Sequence, residues 1–112
     1  MESKRATRVS NVVKEEISEI LSRKVKDPRV KLVTITDVAM TPDLRLARVY
    51  FSFMGKGDEK DNVLKGLNSA SGFIRRELGK RLGLRHIPDI VFEYDSSLEY
   101  ASRIDRILRE IT

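Results

Sequence analysis

The chain has no cysteine and no tryptophan, and only one histidine in 112 residues. Without cysteine there can be no disulfide, thiolate nucleophile, cysteine-ligated zinc or iron–sulfur cluster. A lone histidine, His86, has no thiol to join it, so a metal site is not expected. Aromatic residues make up 6% of the sequence, too few for the stacking platforms on which many single-strand binders lay out bases. No run approaches the roughly 20 apolar residues that span a bilayer. The opening residues, MESKRATRVS, hold no apolar stretch that could serve as a signal peptide. The expectation is a cytoplasmic protein with no membrane partner.

Positive charge is plentiful. There are 22 Lys and Arg against 17 Asp and Glu, a net charge of +5, and the pI is about 9.7. In a small domain that balance points to a polyanion, most often nucleic acid. The length suits a single domain over residues 1–112, and no linker, repeat or low-complexity segment divides it.

Val9, Val12, Val13, Ile17, Ile20 and Leu21 recur at spacings of three and four. They predict a helix from about Lys4 to Val25, with Ser3 able to cap its start. Pro28 forbids its continuation. Leu32 to Met40 is rich in β-branched residues and reads as a strand. Thr41-Pro42-Asp43-Leu44 reads as a turn, and a second strand follows from about Arg45 to Met54 with Ala47, Val49, Phe51 and Phe53 on one face. The short connection predicts an antiparallel hairpin. Asp58 is placed to cap a second helical stretch to Leu82, whose seam is Leu64, Leu67, Ser71, Ile74, Leu78 and Leu82. Gly83 should end it in a left-handed conformation. A third strand, Ile90 to Tyr94, and a last helix opened by the capping box Ser96-Ser97-Leu98-Glu99 complete the chain. The class is α+β, a three-stranded sheet covered on one side by helices.

The second helical stretch is about 25 residues, or about 37 Å if straight. A sphere with the radius of gyration expected for this length is only about 34 Å across. Ala70-Ser71-Gly72 lies near its middle, and a Gly/Ser pair is a recognised kink site. A bend or break there is expected, either to bring backbone close to a ligand or to let another element pack tightly on the glycine.

Asp27-Pro28-Arg29, the strand VTITDV, the segment LRLARVYFS, LNSASGFIRREL with the following LRHIP, and the end FEYDSSLEYASRIDRIL together resemble the ribosome-binding factor A family, from about Arg5 to Leu108. The resemblance implies a type II KH-like fold in which Ala70-Ser71-Gly72 forms an interhelical kink in place of a GxxG loop, with an extra C-terminal helix. It also implies a non-catalytic factor that binds the small ribosomal subunit and its ribosomal RNA late in maturation, linked to growth in the cold. Some members carry a longer basic C-terminal tail, whereas this sequence ends at Thr112, so contacts through such a tail are not carried over.

The candidate RNA-binding residues fall in three groups. Arg75, Arg76, Lys80, Arg81 and Arg85 follow Ala70-Ser71-Gly72 and could grip phosphates beside it, Arg through its planar fork. Lys24, Lys26, Arg29 and Lys31 cluster at the end of the first helix, where cations also complement the helix dipole. Lys4, Arg5 and Arg8 sit at the opposite helix end, where the dipole gives no reason for them. Arg103, Arg106 and Arg109 read as a solvated face. Ser96 and Ser97 have no base beside them, and Asp27, Asp37, Asp43 and Asp95 fit turns and caps, so no catalytic set emerges. The expectation is no enzyme, no cofactor, no metal and no small-molecule substrate. With no heptad to drive pairing, a monomer is expected. The alternatives are a general single-stranded nucleic-acid binder without ribosome preference, and a protein-interaction module whose charge serves solubility.

Overall fold

The computed structural model describes residues 4–97. Ser3, the expected last helix and Arg103, Arg106 and Arg109 lie outside the described residues.

Helix α1 runs Lys4–Lys24 and buries Ala6, Ser10, Val13, Ile17, Ile20 and Leu21. The stripe is rotated from the expected one: Val12 is 41% exposed, and Ser10 takes the inward place. Ser10 can be buried because its hydroxyl is fully used. It donates to Ala6 O at 2.7 Å and accepts the Met40 N–H at 3.0 Å, which removes the penalty for an unpaired polar group. The helix ends where proline demands it. Asp27 is extended (φ −70°, ψ 121°) and opens a 3-10 turn, Pro28–Val30.

Strands β1 (Val33–Met40) and β2 (Leu46–Phe53) form the expected antiparallel hairpin. Its register shifts between Ile35 and Asp37, a bulge that leaves Thr36 unpaired. In the turn, Leu44 N–H donates to Thr41 O at 2.9 Å, and Asp43 Oδ1 accepts from Thr41 Oγ1 at 2.6 Å and from the Arg45 N–H at 3.1 Å. These bonds hold the Asp43 carboxyl below its usual range. Leu44 has φ +61°, left-handed backbone that leucine adopts at a cost. Leu44→Asn, which tolerates that conformation, is expected to raise the unfolding free energy by about 0.5 kcal/mol in urea denaturation.

A 3-10 turn, Gly57–Glu59, precedes α2 (Lys60–Leu82). Asp58 therefore does not cap the helix. Glu59 stands at the cap position, without a side-chain cap bond. Gly83, φ +58°, closes α2 in the left-handed conformation expected of it. β3 (Asp89–Tyr94) then pairs parallel to β2, giving the order β1-β2-β3. Phe51 of the central strand is completely buried with Ile17 and Ile20 of α1 and Leu67, Ile74 and Leu78 of α2.

The expected break in the long helix is corrected. The chain stays helical through Ala70, Ser71 and Gly72, so α2 is one unbroken 23-residue helix and not two. The spherical premise fails for a physical reason. Helices on one face of a small sheet make a slab, with extents of 54 × 37 × 19 Å and a radius of gyration of 15.6 Å. Such a slab accommodates a helix about 34 Å long along either of its larger dimensions.

A candidate nucleic-acid interface

The C-terminal end of α1 lies against the middle of α2. Lys24 at the end of α1, Val25, Lys26 and Asp27 just after it, and Ser69, Ala70 and Phe73 of α2 line one open depression of about 290 Å³. The fold thus unites Lys24 and Lys26 with Ala70, which the sequence places in separate clusters.

Gly72 is exposed in the helix interior. Leaving aside its own helix backbone, a Cβ built there would meet no atom of the described residues nearer than Arg76 Nη1, at 3.9 Å. Tight packing among the described residues therefore does not explain this glycine. The glycines of α2 that serve packing are Gly66, where a Cβ would meet Arg29 Cβ at 2.9 Å and Val30 Cγ1 at 3.0 Å, and Gly79, where it would meet Ile87 Cδ1 at 2.6 Å. Beside Gly72, Ser71 Oγ donates back to Asn68 O at 2.8 Å.

The structure sorts the candidate cations by whether their charge is already used. Arg81 bridges both helices, with Nη1 2.9 Å from Glu16 Oε2 and 3.0 Å from Glu19 Oε1. The Glu16 carboxylate, then Glu19, holds its guanidinium proton still more firmly than usual. Arg75 turns back to the loop before β3, donating from Nε to Pro88 O at 3.0 Å and from Nη2 to Ile87 O at 3.3 Å, with Asp89 Oδ1 at 3.5 Å. Arg29 makes a fork with Asp27, Nη2 to Oδ2 at 2.7 Å, and this bond holds the Asp27 carboxyl below its usual range. In this structure these three arginines brace the scaffold, and the N–H groups engaged by carboxylates or carbonyls are not offered to a partner.

Lys24 and Lys80 share Glu77, at 3.3 and 4.0 Å. Both are largely exposed, and such pairs hold weakly. Arg76, Arg85, Lys26, Lys31, Lys4, Arg5 and Arg8 are exposed and have no ion pair among the described residues. They do not form one patch. Lys4, Arg5 and Arg8 are at the far end of a helix about 30 Å long, away from Lys24. Lys65 was missed by the sequence reading. Counting along α2, Lys65, Ser69, Gly72 and Arg76 fall at spacings of four, three and four, hence on one helix face, and all four are exposed. That spacing from Gly72 was the available signal.

The result is a helix ridge bare of side chain at its centre, with a cation one turn beyond the glycine and another about two turns before it. Lys24 of α1 and Lys26 just beyond it stand beside the ridge. Such a surface can approach a phosphate chain closely and neutralise it. Among the described residues no three His, Cys, Asp or Glu side chains gather to hold a metal ion.

The model of the ribosome-binding factor A family matches residues 5–108. A ribosome-binding factor A of Geotalea daltonii is 52% identical over 108 residues, 96% of this chain and 88% of that one. A solution structure of a Thermotoga maritima protein described as a putative ribosome binding factor A is 32% identical, with a TM-score of 0.76 over 87% of this chain and 92% of that one. A Thermus thermophilus ribosome binding factor A, fitted as a homology model into the cryo-EM map of a 30S–RbfA complex, superposes with a TM-score of 0.62 over 86% of this chain and 97% of that one. It is 21% identical, so this likeness concerns the fold.

Proposed function

The chain belongs to the ribosome-binding factor A family, and from that premise we propose that it binds the small ribosomal subunit and its ribosomal RNA late in maturation, as a non-catalytic assembly factor. The link to cold growth, the cytoplasmic location and the type II KH-like description of its single domain are part of this reading. The Thermus relative, placed in a map of a 30S complex, supports the choice of partner.

The observation that carries the reading is Gly72. A glycine inside a helix costs about 1 kcal/mol relative to alanine, and among the described residues no neighbour needs the space. A partner that comes against the bare backbone accounts for it. Ala70, Ser71 and Gly72 then form the contact surface, and Arg76, Lys65, Lys24 and Lys26 supply charge to phosphates. Binding stabilises one arrangement of the RNA and ends when the mature arrangement competes for it. No nucleotide or metal is required by this scheme.

Co-sedimentation of the purified protein with isolated small and large subunits, at low and moderate salt, tests the proposal. Selective, stoichiometric pelleting with the small subunit at both salts is expected. Equal pelleting with both subunits, lost as salt rises, would reduce the protein to a general polyanion binder.

The sorting of cations makes a separate prediction. Arg76→Gln should leave the melting temperature unchanged, weaken small-subunit binding, and lower the slope of log affinity against log salt by about 1. Arg75→Gln should lower the melting temperature through the lost bonds to Ile87 and Pro88 while leaving that slope unchanged. Calorimetry and a salt titration of each variant check both halves.

A further inference from the structure

The edge of β1 is closed at one end and open at the other. An antiparallel strand turns the backbone groups of every second residue away from its partner. At the hairpin end these outward amides are satisfied locally. The Met40 N–H bonds Ser10 Oγ at 3.0 Å, and the Val38 N–H bonds Asp37 Oδ1 at 2.9 Å. The bulge at Thr36 then changes the alternation. Met54 N–H donates to Leu32 O at 3.3 Å, so Leu32 faces β2. Val33 and Ile35 are therefore the residues that direct their N–H and C=O groups outward at the other end. β1 is the outermost strand of the sheet on this side, and no side-chain cap at these two amides is found among the described residues.

This open half-edge borders a groove of about 580 Å³ between β1 and the C-terminal half of α1. Leu21, Val25 and Val30 give it an apolar lining. Lys26 and Lys31 stand on its rim, both exposed and without an ion pair among the described residues. An unpaired strand edge beside a helix is the geometry in which an extended peptide is taken up as an added strand. Main-chain bonds then supply affinity, and alternate side chains enter the groove. A row of alternating donors and acceptors matches a peptide backbone, whereas a phosphate chain offers acceptors alone. The two lysines select negative charge on the side chains that remain outside.

We infer that this groove docks an extended peptide segment of a protein partner, with alternating apolar and acidic residues, as a fourth strand on the Val33–Ile35 half of β1. This surface shares Val25, Lys26 and Asp27 with the depression beside Gly72, but its strand edge, Val33–Ile35, and Lys31 lie apart from that ridge and do not depend on the ribosomal reading.

The test uses the full chain, isotope-labelled for NMR, and a synthetic hexapeptide of alternating valine and glutamate blocked at both ends. Shifts confined to Val33, Ile35 and the groove residues are expected. A peptide of the same sequence N-methylated at alternate amides should produce none, since it cannot complete the strand ladder. Replacing glutamate by lysine in the peptide, or introducing Lys26→Glu with Lys31→Glu in the protein, should weaken binding at least tenfold. No shift at Val33 and Ile35, an equal response to the N-methylated peptide, or an equal response to the lysine peptide would overturn the inference. So would a poly-uridine oligonucleotide that perturbs these residues where the acidic peptide does not.

Discussion

Gly72→Ala is expected to make the protein more stable and worse at its task. The position is helical and exposed, and among the described residues no neighbour stands where a methyl group would strike it. Alanine there removes the entropic cost of glycine, a gain of about 0.5–1 kcal/mol. In a domain of this size that raises the melting temperature by roughly 4 °C. The same methyl group stands where the RNA backbone is proposed to approach, and it should weaken small-subunit binding by about tenfold, a loss of about 1.4 kcal/mol. Net charge does not change, so weak nonspecific binding to unrelated RNA should be little affected. Thermal unfolding and subunit binding, measured on the same preparation, read the two signs together. A variant both more stable and equally tight in binding would leave this glycine without a function.

Gly66→Ala, six residues earlier in the same helix, should act in the opposite direction. Its methyl group would press on Arg29 Cβ and Val30 Cγ1. Neither can give way easily. The guanidinium of Arg29 is forked onto Asp27, and Val30 is buried in the core. Overpacking of this kind costs about 1–3 kcal/mol, which exceeds the helix-propensity gain. A net loss of about 1 kcal/mol and a melting temperature lower by several degrees are expected. Binding below the melting temperature should be nearly normal, because Gly66 is buried away from the ridge. Unfolding curves and sedimentation with the small subunit check the pair, and a stabilised Gly66→Ala would mean that α2 does not seat on the Pro28–Val30 turn as described.

These glycines also show where sequence reading succeeds and where it stops. Gly83 is recognisable because a helix terminus imposes a local rule. Gly66, Gly72 and Gly79 look alike in a helical pattern, and only their neighbours from other elements separate two packing sites from one bare site. The arginines behave in the same way. Arg75, Arg76 and Arg81 are equivalent cations in sequence, yet Arg81 reaches Glu16 and Glu19 across 62 or more residues, and Arg75 reaches a loop beyond the end of its helix. Such contacts are set by how α1 and α2 cross, which periodicity does not encode. The strands were legible because the alternation of Ala47, Val49 and Phe51 depends only on the pleat. The bulge at Thr36 was not, since its register is fixed by both partner strands. Ser10 shows the converse, a polar residue accepted into the apolar stripe because both of its bonding partners are waiting there.

The central claim is that the ridge around Gly72 recognises the small subunit and not merely negative charge. The most direct measurement is sedimentation of the wild-type protein and Gly72→Ala with small subunits in the presence of excess unrelated RNA. The wild type should remain with the subunit while the competitor strips the variant. Release of the wild type by the same competitor, or equal retention of both proteins, would contradict the account.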